Sequence, residues 1–189
     1  PVRLARDMAG ENGVVVAVDV GHNQLHERLR ADERVRNVER TNLRTLDPLV
    51  VGGPVDVVVG DLSFISLRLV LEPVFAVARR GAPYALLVKP QFEAGRAEAA
   101  RGRGVIADPA IWRRVLDEVA TALRERGASF MGAMVSPITG SAGNAEFVVI
   151  GRCPGDAAPL SGRAPLTGAD LAAELDEAVA AAGSHLGGP

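Results

Sequence analysis

Asp61, Lys89 and Glu146 are side chains of this 189-residue chain whose types could do proton chemistry together. Each closes or opens an apolar run: Val55-Asp-Val-Val-Val-Gly-Asp61, Tyr84-Ala-Leu-Leu-Val-Lys89 and Ala145-Glu-Phe-Val-Val-Ile-Gly151. An amine held between two carboxylates keeps its orientation and its charge. It can contact a weakly acidic hydroxyl and favour its deprotonated form. A free lysine titrates near about 10.4, burial lowers that value and flanking acids raise it, so base and electrostatic stabiliser both stay open. Lys89 is the one lysine among 21 basic residues. A lone lysine in an arginine-biased chain is a candidate for a position where a planar guanidinium fork would not serve, a leftover surface lysine being the alternative. The plainer alternative is a buried salt-bridge cluster without chemistry.

Asp19 ends another such run, Val14-Val-Val-Ala-Val-Asp19. An acid at this point of a nucleotide-binding unit commonly accepts hydrogen bonds from ribose hydroxyls. That favours a nicotinamide cofactor or S-adenosylmethionine; a turn acid before Gly21 is the competing reading.

These residues share a rim only if the fold puts them there. Runs over 14–19, 35–39, 55–61 and 84–89 read as strands, the first continuous, β-branched and apolar, as strands covered on both faces are. Between them lie helical patterns over Asn23–Ala31 and Leu67–Arg79, and Pro109 opens a third that Gly127 stops. Strand and helix in alternation predict an α/β fold with a mostly parallel sheet. Ser129–Val135 and Ala145–Gly151 are too close in sequence for a parallel crossover, so the last strand is expected to run antiparallel. Ligands of open parallel sheets bind outside the carboxyl ends of the strands. Asp19, Asp61 and Lys89 end parallel strands there, and Glu146 opens the reversed strand at the same edge, after the loop Gly140-Ser-Ala-Gly-Asn144.

Composition narrows the classes. Apolar residues are 48% and charged residues 23%, a globular balance, and the net charge of −2 excludes a globally basic nucleic-acid binder. The longest apolar runs fall far short of the ~20 residues of a membrane span, and no signal peptide is visible. One cysteine, Cys153, excludes an internal disulfide framework and points to a reducing, cytoplasmic setting.

Val18-Asp-Val-Gly21, Gln24-Leu25, Glu39-Arg-Thr-Asn42, Gly60-Asp-Leu-Ser-Phe-Ile-Ser-Leu67, Leu87-Val-Lys-Pro-Gln-Phe-Glu93, Gly104-Val105, Asp108-Pro109, Ser136-Pro137 and Gly143-Asn-Ala-Glu146 follow one another in this order. Together they resemble the TlyA family of FtsJ-like ribosomal RNA methyltransferases, historically labelled haemolysin A, over residues 14–151. The resemblance implies a Rossmann-like fold that uses S-adenosylmethionine and methylates the ribose 2′-hydroxyl of cytidines in 16S and, in many members, 23S ribosomal RNA. It implies a Lys-Asp-Lys-Glu catalytic set, of which Asp61, Lys89 and Glu146 look like the last three members. It makes Asp19 the acid of the cofactor ribose, puts Asn42 near the adenine end, and counts Asp61 among the cofactor contacts. No metal is implied. A methyltransferase domain over 1–152 is expected, then a linker over 153–165 and a C-terminal helix over 166–183.

Against that pattern, the family's N-terminal S4-type RNA-binding domain and its first catalytic lysine are not among these residues. The first strand and glycine-rich loop are expected ahead of Val2–Ala9, which reads as the helix after that loop. The domain is therefore expected to be N-terminally incomplete and, alone, to bind the donor weakly; calorimetric titration measures this. Arg96, Arg101 and Arg103, in a glycine-rich loop, could follow an RNA backbone close to the rim. Phe92 could stack on a base, with core packing the stronger expectation. His22 and His26 are expected to be exposed on a short helix, and Trp112 and Cys153 to be core. The rival functions are a non-catalytic RNA- or ribosome-binding remnant, a membrane-lytic protein, and a nicotinamide dehydrogenase. The last would want a Gly-x-Gly-x-x-Gly turn that these residues lack.

Overall fold

The computed structural model describes residues 5, 10, 13–156 and 158–186. The helix expected over Val2–Ala9 falls, Ala5 apart, outside them. Valine-rich runs form several of the strands, because a β-branched side chain suits the pleated backbone. β1 (Val15–Val18) pairs in parallel with β2 (Val35–Val38), Val15 opposite Val35. β3 (Val58–Asp61) pairs in parallel with β4 (Pro83–Val88), Val58 opposite Tyr84. β5 (Ser129–Val135) and β4 both lie antiparallel to β6 (Phe147–Arg152). The described strands thus make a two-stranded sheet, β1-β2, and a four-stranded sheet in the order β3-β4-β6-β5. The reversed strand is the last along the chain, but it lies inside its sheet, between β4 and β5.

The helices bounded within the described residues are α1 (Glu27–Arg30), α2 (Pro48–Val51), α3 (Leu71–Ala76), α4 (Pro90–Glu93), α5 (Arg96–Arg101), α6 (Pro109–Glu125) and α7 (Gly168–Leu186). α6 begins as its sequence predicts. Asp108 accepts a hydrogen bond from the Ala110 N–H, and Pro109 fills the first turn, where its missing N–H costs nothing. Its stripe of Trp112, Val115, Leu116, Val119, Ala120 and Leu123 is buried against the four-stranded sheet. Leu171, Leu175, Ala178 and Ala182 of α7 join the same core, so this helix packs on the four-stranded sheet. A smaller cluster of Leu46, Val51 and Val77 receives Val16 and Val18 of β1.

Three local expectations change. The helix read over Leu67–Arg79 is a 3-10 turn, Leu67–Leu69, followed by α3. Pro73 is the reason: its ring would clash with the carbonyl one turn back if the helix ran through. Beyond α3, Val77 and Arg79 exchange backbone hydrogen bonds with Val55 at 2.8 and 2.9 Å. The helix read over Asn23–Ala31 shrinks to α1, because Asn23 is left-handed (φ 57°) and His26 caps α1 through its ring. His22 therefore lies off that helix and pairs with Glu39 at 3.0 Å. The segment read as a glycine-rich loop holds α5, since Arg-Ala-Glu-Ala-Ala-Arg is made of good helix formers.

Gly151 marks the tightest point of the sheet. A Cβ there would lie 1.9 Å from the Ser129 carbonyl oxygen and 2.6 Å from the Tyr84 hydroxyl. Gly151→Ala is expected to destabilise the fold by about 1–3 kcal/mol, as overpacking does, and a urea denaturation series measures it.

Candidate functional site

β4 ends at Val88, directly opposite Phe147 of β6, so the next residues outward, Lys89 and Glu146, face each other across the two strands. β3 ends beside them with Asp61. Lys89 Nζ lies 2.6 Å from Asp61 Oδ1 and 3.9 Å from Glu146 Oε1. It also donates to Ser63 Oγ at 3.3 Å. Side-chain exposure is 12% for Lys89, 34% for Asp61 and 8% for Glu146, so Asp61 is the wet end of the cluster and Glu146 the dry one. Two carboxylates hold the ammonium in orientation and charge, so that an N–H of Lys89 can be given to an approaching oxygen.

A second set of contacts holds the neighbouring loop. Glu93, only 4% exposed, follows the Lys89-Pro90 pair in α4. Its carboxylate accepts from Ser66 Oγ at 2.5 Å, from the Leu67 N–H at 2.6 Å and from Arg68 Nε at 3.2 Å. Arg68 goes on to the Glu93 carbonyl and to Glu118, both at 2.8 Å. Residues 62–66 therefore run between two fixed points, the Lys89 cluster and the Glu93 lock. At their middle Phe64 adopts a left-handed backbone (φ 63°) and is 91% exposed. Its ring lies 5.1 Å from that of Phe92. A bulky residue held at positive φ with its ring in water costs conformational and hydrophobic energy at once. In the sequence Phe64 is only an aromatic two residues before a serine cap, a weaker signal than Phe92 gives beside Lys89-Pro90-Gln91.

The remaining candidates are dispersed. Asp19 is exposed at the end of β1, and its Oδ1 accepts the Gly21 N–H at 2.7 Å, which serves the turn. Asn42 is exposed and caps the 3-10 turn Leu43–Thr45 through the Arg44 N–H. Close by, the Glu39 carboxyl is held down at about 2, chiefly by the Asn23 backbone N–H, then by Asn37 and His22. Arg96 and Arg101 end α5, and all three arginines, Arg103 with φ 51°, are exposed. Cys153 is buried, and burial pushes its thiol up to about 11, so it is no nucleophile. Trp112 is core, its indole N–H given to the Ile106 carbonyl at 2.7 Å. Among the described residues no group of histidine, cysteine and acids could hold a metal, and no helix is long and apolar enough to cross a membrane.

The family model of FtsJ-like methyltransferases matches residues 3–153. The "16S/23S rRNA (cytidine-2'-O)-methyltransferase TlyA" of Mycobacterium tuberculosis is 47% identical over 133 residues, which are 70% of this chain and 49% of that protein. The chain thus spans about half the length of that relative. A solved hemolysin-type protein of Streptococcus thermophilus superimposes with a TM-score of 0.82 at 34% identity, over 95% of this chain and 62% of the other. A solved SAM-dependent methyltransferase of Methanosarcina mazei, 14% identical, shares the fold alone, with a TM-score of 0.54 over 80% of this chain and 87% of that one. With the α/β methyltransferase fold and the motif order carried by one continuous match, the chain belongs to the FtsJ-like methyltransferase family, and TlyA proteins are among its relatives.

Proposed function

We propose that this chain transfers a methyl group from S-adenosylmethionine to the ribose 2′-hydroxyl of a cytidine in 16S ribosomal RNA, with 23S ribosomal RNA as the second candidate, and does so in the cytoplasm. The observation that carries the reading is Lys89 between Asp61 and Glu146, at 2.6 and 3.9 Å, on the rim of a methyltransferase sheet. The mycobacterial relative's name supports the substrate.

The residues present suit the donor. Asp19 spends one hydrogen bond on Gly21 and, being exposed, has acceptor sites left for ribose hydroxyls. Asn42 and Asp61 are the further contacts we assign to it. The donor supplies an electrophilic methyl group. This chain's own part is to place the 2′-oxygen and to favour its charged form: the Lys89 ammonium, kept in place by both carboxylates, faces the developing alkoxide. Held by Asp19, Asn42 and Asp61, the donor would supply the methyl group and would leave as a neutral thioether, and the 2′-hydroxyl proton would pass to water while Lys89 stays charged.

We assign the nucleotide itself to the exposed ring of Phe64, backed by Phe92, since base–aromatic stacking is worth about 1–3 kcal/mol per base. Arg96, Arg101 and Arg103 then meet the RNA backbone as exposed cations. We take residues 1–152 as the methyltransferase unit. Incubation of the chain with ribosomal RNA and ribosomal subunits is the test, with radiolabelled donor at saturating concentration. Methyl incorporation at a cytidine ribose is expected, reduced about tenfold or more by Phe64→Ala. RNA binding without incorporation would replace this reading with that of a non-catalytic binder.

A further inference from the structure

We propose that Gly140 and Gln91 are positioning residues that clamp the Glu146 carboxylate against Lys89; the proposal rests on the reading of Asp61, Lys89 and Glu146 as the reaction centre. The backbone of Glu146 is fixed by the β4–β6 register and by its carbonyl, which accepts the Ser136 N–H at 2.8 Å. The side chain still has rotatable bonds, so its carboxylate needs walls of its own.

Gly140 is one wall. A Cβ built there would lie 2.2 Å from Glu146 Oε1 and 2.7 Å from its carboxyl carbon. Gly140 is not among the residues with positive φ, so its backbone suits any residue. Glycine is required here by the carboxylate beside it, not by its dihedral angles. The wall cannot easily back away. The Gly140 N–H donates to the Asn144 carbonyl at 2.9 Å, and the buried Asn144 side chain ties the loop to the Ile106 N–H at 3.0 Å and the Gly104 carbonyl at 2.9 Å.

Gln91 is the other wall. It is 9% exposed, and its Nε2 donates to Glu146 Oε1 at 3.3 Å. Its own Oε1 is buried with no hydrogen-bond partner. A buried acceptor left bare is costly. The reverse amide orientation would set that oxygen against the carboxylate, so Glu146 dictates which way Gln91 turns. The same Oε1 thus meets the Gln91 amide and the Lys89 ammonium while Gly140 closes over it.

The lone lysine makes the test direct. Acetylation of Lys89 by N-hydroxysuccinimidyl acetate, followed by mass spectrometry, reports how firmly the amine is held, whether or not methyl transfer is observed. Gly140→Ala and Gln91→Leu are each expected to speed that acetylation about threefold or more, because the ammonium loses an anionic neighbour. Each should lower kcat about tenfold and leave KM for donor and RNA nearly unchanged, as misplacement of one group does. Glu146→Asp shortens the carboxylate and makes room for the new Cβ, so Gly140→Ala should cost little when added to it. Unchanged acetylation and kcat in both single variants, or additive losses in the double variant, would overturn the clamp. If the unaltered chain transfers no methyl group, the reaction reading fails, while the acetylation rates still decide whether the two residues hold the carboxylate.

Discussion

Lys89→Met is expected to lower methyl transfer to ribosomal RNA by about 10²–10³-fold, the usual cost of removing one preorganised charge from a transition state. The side chain is nearly isosteric, so the apolar stem keeps its packing and only the charge is lost. Asp61 and Glu146 are then left facing one another across the gap that the ammonium filled. Lys89→Arg is expected to be almost as slow. The ammonium meets Asp61 and Glu146 as a point charge and has Ser63 Oγ at 3.3 Å, whereas a planar guanidinium needs more room and presents its donors as a fork. Purely structural ion pairing would predict the opposite, with arginine restoring the loss. Single-turnover assays on ribosomal subunits separate the two, and full activity in either variant would remove Lys89 from the reaction.

The second large effect is on stability. Glu93→Ala is expected to cost about 3–5 kcal/mol, the range for breaking a buried charge pair from one side. The deletion leaves the Leu67 N–H and the Arg68 guanidinium without the carboxylate they share, and Ser66 Oγ without its acceptor. Arg68 retains Glu118 and the Glu93 carbonyl, which sets the estimate toward the lower end. For a chain of this size the melting temperature should fall by about 10 °C. Glu93→Gln can still accept from one donor and should fall between the two. Differential scanning calorimetry reads both, and a shift within about 1 °C for Glu93→Ala would show that the lock carries no load. Hydrogen exchange of residues 62–66 should rise in parallel, because Glu93 fixes one end of that loop.

Much of this was legible in the chain. Continuous valine runs, the Asp108-Pro109 start and the 3.6-residue stripe of α6 each express a local preference that tertiary packing reinforces. The short β5–β6 connection dictates an antiparallel return for the same reason, that a parallel one does not fit. Less legible were the places where a local pattern met a backbone constraint: Pro73 dividing the expected helix, and a left-handed Asn23 delaying α1. His22 shows the consequence. On paper it shares a helix face with His26, but in the fold it belongs to Glu39.

Local composition was enough to place charged residues at the rim, because strand ends follow from where apolar runs stop, and a parallel sheet brings those ends to one edge. Tertiary structure alone decided how they meet. The 2.6 Å pair of Lys89 with Asp61, the Gly140 wall on Glu146 and the exposed Phe64 ring all join segments distant along the chain. Their distances depend on strand register and loop packing, which no local run of residues encodes.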